Sequence, residues 1–402
     1  LTTLIFQGAG YEALFFSAKA TADKVGFVGG GDTFQLEANN LEFGLNISNL
    51  PTGTILPFVD FEASFPGGGG TPVGFPVPTG AGNIYLDYDS YLFRAQTSQA
   101  LLRIADFAYF SGSFAFEFGR REMMTVKNVL GFGTGGTSSE IEMLLMTVGA
   151  SNVNAFIGIN GPYLDANGVI NEDAIGLTVA DLDVGMLIGL STLTLETFLS
   201  VKASASLVGV VGLDDPIAAQ ARDLTLQINN LLGTPLSPNY WVTPVDFLLP
   251  GPAIDFKTTF ETADGAKDGT FELNTGDPLN PVLLDFDSQL LRAGVGSLFV
   301  DFGGFAQFSG SGFMEIGPTQ EMFLTDSRVQ TLRTLTFALA NINGFFGVGG
   351  YFVDTNMDGY FDTNDTPNPD AVGFLMEDLD LGFAIFQSVD LLDPGLYFAG
   401  RA

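Results

Sequence analysis

Phe107-Ala-Tyr-Phe-Ser-Gly-Ser113 returns 198 residues later as Phe305-Ala-Gln-Phe-Ser-Gly-Ser311. The chain has 402 residues, so the return comes at about half its length. A repeat at such a period has to be recognised first, because it decides the fold before any single element does. Other pairs match in the same order on either side. Lys19-Ala-Thr-Ala-Asp-Lys-Val-Gly-Phe-Val-Gly29 matches Lys202-Ala-Ser-Ala-Ser-Leu-Val-Gly-Val-Val-Gly212, and Asn46 matches Asn229. Val59-Asp-Phe-Glu-Ala-Ser-Phe65 matches Ile254-Asp-Phe-Lys-Thr-Thr-Phe260, and Leu86-Asp-Tyr-Asp-Ser90 matches Leu284-Asp-Phe-Asp-Ser288. Asn152-Val-Asn154 matches Asn341-Ile-Asn343, and Asp181-Leu-Asp183 matches Asp378-Leu-Asp380. The second copy carries an insertion that contains the only Trp, Trp241.

Phe15-Phe-Ser-Ala-Lys-Ala20, Phe198-Leu-Ser-Val-Lys-Ala203 and Tyr397-Phe-Ala-Gly-Arg-Ala402 share one phase. The expected organisation is the end of a preceding unit in 1–19, a first unit in 20–201 and a second in 202–402. Arrays normally close in atypical capping repeats. Neither end is atypical, which points to an excerpt from a longer array.

Within the units, Phe110 to Phe118 puts Phe or Gly at even positions and small or charged residues at odd ones. Leu41 to Ile47 alternates in the same way. Period two is the mark of a strand with one buried face. Short motifs such as Ala38-Asn-Asn-Leu, Ile104-Ala-Asp-Phe, Ala150-Ser-Asn-Val, Ala180-Asp-Leu, Ala340-Asn-Ile and Glu377-Asp-Leu precede alternating segments. Asn and Asp suit turns, since they tolerate left-handed backbone. The pattern predicts an all-β fold: two tandem repeats of antiparallel meanders, with strands of about 6–10 residues, in an elongated solenoid-like or sandwich rod. The best helix candidate, Asp215 to Asn230, is expected to give only a short turn. Pro66 to Gly80 reads as a loop. Both Phe-rich faces need cover, from sheets that pack together or curl round an apolar interior.

Composition narrows the functions. There are 46 acidic and 15 basic side chains, a net charge of −31. Such a chain repels phosphate backbones, which argues against nucleic acid as a partner. It has no Cys and no His. Disulfide scaffolds, Cys/His zinc sites and triads with a His base are thereby excluded. The apolar segment Val184 to Val201 is long enough to span a bilayer. Its counterpart, Leu381 to Phe398, holds Asp390 and Asp393, which are costly there, so both are expected to be strands.

Asp354-Thr-Asn356-Met-Asp358-Gly359-Tyr360-Phe361-Asp362-Thr-Asn-Asp365 resembles the calcium loop of EF-hand and dockerin-type proteins. That family places oxygen ligands at loop positions 1, 3, 5, 7, 9 and 12, with Gly at 6. The resemblance implies Asp354, Asn356, Asp358, the Tyr360 carbonyl, Asp362 and Asp365 as calcium ligands. Position 12 is Asp, as dockerin-type loops accept, and Pro367 forbids the EF-hand's continuing helix. The first copy has a shorter form, Asp165-Ala-Asn-Gly-Val-Ile-Asn-Glu-Asp173, without the acid at position 5.

Asp87 and Asp89, like Asp285 and Asp287, are carboxylate pairs of the kind glycosidases use. Arg94 and Arg292 follow closely, so structural ion pairs are the expected reading, and Lys19 and Lys202 are expected to be exposed or paired. No enzyme is predicted. Over its length the chain resembles repeats of very large acidic bacterial surface or secreted, adhesin-like proteins. The resemblance implies an extracellular or cell-surface structural role in a fibre, sheath or adhesin stalk, stabilised by calcium, with neighbouring copies as partners. A β-groove lipid carrier is the alternative, a carbohydrate-active enzyme a weaker one, and lipid and polysaccharide are further candidate partners.

Overall fold

The computed structural model describes residues 2–8, 11–31, 33–48, 57–128, 137–164, 169–171, 173–212, 217–233, 251–260, 269–353, 366–390 and 393–402; of 2–8, 11–13, 128, 137 and 217 it describes the backbone alone. Strands make up 71% of the described residues and helix 3%. The first part holds β1 (Thr2–Gly8), β2 (Tyr11–Gly26), β3 (Phe34–Ser48), α1 (Phe61–Ser64), β4 (Phe75–Pro78), β5 (Asn83–Leu86), β6 (Leu92–Ile104), β7 (Ala108–Asn128), β8 (Thr137–Ile159) and β9 (Ile175–Ser191). The second holds β10 (Thr197–Val211), β11 (Ile217–Gly233), β12 (Ala253–Ile254), α2 (Phe256–Phe260), β13 (Phe271–Leu273), β14 (Val282–Leu284), β15 (Leu290–Phe302) and β16 (Ala306–Phe323). Then come β17 (Val329–Val348), β18 (Phe352–Val353), β19 (Thr366–Pro367), β20 (Val372–Ser388) and β21 (Leu396–Arg401).

One antiparallel meander dominates, in the order β1-β2-β3-β6-β7-β8-β9-β10-β11-β15-β16-β17-β20-β21. The all-β class and the meander are as the sequence predicts. The three segments that share a phase fall on β2, β10 and β21. Residues 201 and 202 lie side by side inside β10, which pairs with β9 on one side and β11 on the other. The sheet therefore runs from one repeat into the next through shared backbone hydrogen bonds. Val184 to Val201 is the β9–β10 hairpin, and no described helix is long and apolar enough to cross a membrane. From Ile217, the helix candidate is strand β11.

The strands are far longer than 6–10 residues: β7 has 21 and β8 has 23. The reason lies in the Asn/Asp motifs. Asn40, Asn152, Asp181, Asp223, Asn341 and Asp378 all have φ between 50° and 55°, the left-handed conformation expected of them. Yet each sits inside a strand, not at its end. Several mark register shifts, as where Ser111 pairs Asn154 and Ser113 pairs Ser151. Such bulges bend a strand without ending it. Asn152 N–H donates to Asp183 Oδ1 at 3.0 Å, and Asp181 N–H to Asn154 Oδ1 at 3.2 Å. The second unit repeats the clamp with Asn341 to Asp380 and Asp378 to Asn343, both 3.0 Å. Among these motifs only Ile104-Ala-Asp-Phe is a turn, with Phe107 N–H bonded to Ile104 O.

Among the described residues, cover comes from caps inserted in each unit, each with a two-stranded sheet of its own, β4–β5 and β13–β14. In the first cap Phe61, Leu86, Tyr88 and Leu92 form a buried cluster. In the second, Phe256, Phe271, Leu284 and Phe286 pack on Met124, Met143, Leu187 and Phe198 of β7 to β10. A buried Ser–Asn pair pins each cap. Ser17 Oγ donates to Asn46 Oδ1, and Asn46 Nδ2 donates to the carbonyls of Val59 and Ser90. Ser200 donates to Asn229, which donates to Ile254 and Ser288. Asp255 adds a second anchor: it is 0% exposed, caps α2 through Thr258 N–H and meets Lys127 of β7 at 2.9 Å. Burial pushes its pKa up, but the Thr258 bonds and Lys127 outweigh that and hold it below the ordinary value.

Asn46→Ala and Asn229→Ala each take the amide donor from two carbonyls at the cap's base, and each is expected to cost about 2–4 kcal/mol in urea unfolding. Because the folded pKa of Asp255 is depressed, its contribution is present above the ordinary carboxylate pKa, about 3.9, and is lost as pH falls below it. Wild type should therefore exceed Asp255→Asn in stability at pH 7, with the gap closing below about pH 4; a gap constant with pH would refute the anchor.

Candidate functional site

Asp354 to Asp365 lie outside the described residues, and with them all six expected ligands: Asp354, Asn356, Asp358, Tyr360, Asp362 and Asp365. The frame that holds their ends is described. Phe352 pairs Pro367 and Val353 pairs Thr366, so a two-residue ladder closes the loop at its base. Asn368 N–H donates to Tyr351 O at 2.8 Å, Asn368 Nδ2 to Gly349 O at 2.6 Å, and Asp370 N–H to Asn368 Oδ1 at 3.0 Å.

The first unit has the same frame. Asn171 N–H donates to Tyr163 O at 2.8 Å, Asn171 Nδ2 to Asn160 O at 2.6 Å, and Asp173 N–H to Asn171 Oδ1 at 3.1 Å. A Leu164–Ile170 bridge stands where Phe352 pairs Pro367. The calcium-like segment is thus a lengthening of the second loop on a base common to both units. In the shorter loop, 165–168 and 172 lie outside the described residues, and Asn171 serves as the pin.

β16 ties down the longer loop. Gln307 is 2% exposed; its Nε2 donates to Phe352 O and its Oε1 accepts from Phe352 N–H, both at 3.0 Å. Tyr109 takes that place in the first unit and packs with Phe156, Ala174 and Val211. Within the repeated heptapeptide, Tyr109 against Gln307 is the substitution that separates a greasy base from a hydrogen-bonded one.

Most of the other singled-out charges form ion pairs. Lys19 meets Asp87 at 2.8 Å, and Lys202 meets Asp285 at 2.9 Å. The arginines expected to hold those aspartates pair elsewhere: Arg94 with Glu117 at 2.6 Å and Arg292 with Glu315 at 2.7 Å. Register explains this, because each Arg stands directly opposite its Glu on the neighbouring strand. Asp87 and Asp89 follow β5 and do not lie within it. Among the described residues no three acidic side chains gather as a metal site.

Arg333 gave no signal in the sequence. It is 1% exposed, Nη1 donates to Gln289 Oε1, and burial lowers its pKa to about 10. Leu144 holds its place in the first unit, so only the broken repeat could have marked it.

An apolar ladder crosses the sheet. Phe43, Ala95, Phe116, Val148, Met186, Val201, Ile228, Leu291, Ile316, Leu335, Ile385 and Phe398 are paired one to the next on successive strands. Val208 lies an odd number of residues from Val201 in β10, hence on the other face. It belongs to a second apolar row, with Leu36, Leu102, Phe110, Ala155, Val179, Ala221 and Leu298. Leu36, Phe110, Val208 and Leu298 are exposed. No family model matches the chain, and no curated protein matches it.

Gln307→Ala should speed amide exchange at Phe352 about tenfold, the equivalent of a 1.4 kcal/mol opening change, and leave Asn171 unchanged. Equal rates in variant and parent would show that Gln307 does not hold the loop base.

Proposed function

We propose that this chain is an extracellular or cell-surface structural repeat protein, a segment of a fibre, sheath or adhesin stalk, that calcium stabilises. The observation that carries this reading is the passage of the sheet through the repeat boundary inside β10. Repeats joined by strand pairing share each neighbour's core, the arrangement by which solenoids gain stability from nearest-neighbour contacts. Acidic, cysteine-free composition fits a protein held by its core and by hard cations. The residues 354–365 offer oxygens at calcium spacing, and the closed base holds the two ends of that segment together, which lowers the cost of ordering it around an ion.

A second reading has its own support. The apolar ladder, unbroken across twelve paired strands, is a surface along which acyl chains could lie, as in a β-groove lipid carrier. Native mass spectrometry of purified protein separates the two: co-purifying lipid favours the carrier, and bare protein favours the structural reading.

Chelation should lower the melting temperature, since binding to the folded state alone contributes RT ln(1 + [L]/Kd), about 2.7 kcal/mol at a hundredfold excess over Kd. Asp358→Ala should abolish the response to calcium and leave the calcium-free melting temperature nearly unchanged. Superimposable melting curves with calcium and with chelator would defeat the calcium part of the proposal.

A further inference from the structure

The β13–β14 hairpin of the second cap reaches back over the first unit. Thr275 and Gly276 at its tip are buried. A Cβ on Gly276 would lie 2.4 Å from the carbonyl oxygens of both Thr97 and Phe114. Asn274 Nδ2 donates to Gln96 Oε1. A Cβ on Gly149 would come within 2.0 Å of Asn274 O, and one on Gly185 within 2.5 Å of Val282 Cγ1. The first unit thus presents a seat across β6 to β9, and the next unit's hairpin fills it.

The repeat carries the same seat into the second unit. Gln96, Thr97, Phe114, Gly149 and Gly185 correspond to Gly294, Val295, Gly312, Ala338 and Gly382. There the seat is open. A groove of about 360 Å³ is lined by Gly294, Val295, Gly296, Gly312, Phe313 and Ala338, among others. A Cβ on Gly382 would meet nothing within 4 Å. The first unit's own hairpin, β4–β5, has its tip, Thr79 to Gly82, exposed. Among the described residues, nothing fills this second seat and the β4–β5 tip is exposed, and the two are of the kinds that the chain joins internally.

We propose that the β4–β5 hairpin of a second copy of this chain docks in the groove over Gly294, Ala338 and Gly382, head to tail. The inference rests on the structural-repeat reading and names its contact surface. The contact is heterologous, so its repetition builds a filament or a ring. Ala338 in place of Gly149 adds a methyl where the internal hairpin's carbonyl sits. Gly294 and Gly296, in place of Gln96 and Ser98, free space beside it, and the small Thr-Gly-Ala-Gly tip seats toward them.

The absence of native cysteines makes the test clean. Ile84 in β5 corresponds to Val282. Ile84→Cys and Gly382→Cys variants, mixed and mildly oxidised, should give a disulfide-linked dimer about tenfold above a mixture of Glu62→Cys with Gly382→Cys, because seating raises the local thiol concentration. Gly382→Trp, which fills the seat, should abolish self-association in sedimentation velocity. If the parent assembles while the Ile84–Gly382 disulfide stays at the control level and Gly382→Trp assembles normally, this contact is overturned and the structural-repeat reading stands. If the parent stays monomeric at its highest soluble concentration and the mixed Ile84→Cys and Gly382→Cys variants give no disulfide above the control, both fall.

Discussion

The contact of the β13–β14 hairpin with Gly149 and Gly185 joins two repeats into one body. Backbone lies against backbone there: the Asn274 carbonyl occupies the space a side chain on Gly149 would need. Around it Phe271, Leu273 and Val282 pack with Met143, Leu145 and Leu187 of the preceding unit. Burial of this size contributes about 25 cal/mol for each Å² of apolar surface. It is possible only because β8 and β9 carry glycine at the paired positions 149 and 185. The Asp255–Lys127 pair and the Ser200–Asn229 pin then fix the cap's position and need little net energy of their own.

The row of left-handed Asn and Asp residues solves a different problem. Strands of 15 to 23 residues would twist strongly if regular. Bulges at the left-handed residues bend the long strands and keep the pairing on both sides, and reciprocal Asn–Asp bonds clamp β8 to β9 and β17 to β20. In β10, which has unbroken register with β11 from Phe198 onward, burial changes face along the strand: Phe198 and Ser200 are buried at one end, Leu207 and Val211 at the other. Caps cover one face at one end, and the loops after β8 and β17 cover the opposite face at the other.

Much of this was legible in the sequence. Alternation in Phe110 to Phe118 gave the strands, and the matched pairs gave the repeat with Lys19/Lys202 and Asn46/Asn229 in equivalent roles. Strand length was not legible, because left-handed Asn serves a turn and a bulge equally well, and only pairing partners decide between them. The partners of Arg94 and Arg292 were missed for a similar reason: Glu117 and Glu315 are distant in sequence and adjacent only by register. Of the candidate site, sequence supplied the ligand pattern and structure supplied the closed base. The role of Gln307 depends on a contact across some 45 residues that no local pattern announces.

Two equivalent glycines test the central claim, that the second cap seats on the first unit, most directly. Gly185 and Gly382 occupy the same place in successive units and neither has left-handed backbone. Gly185→Ala drives a methyl into Val282 and should cost about 1–3 kcal/mol. Gly382→Ala opens onto free space and should be neutral or slightly stabilising. Paired urea unfolding of the two variants measures the difference; equal effects at both positions would contradict the account.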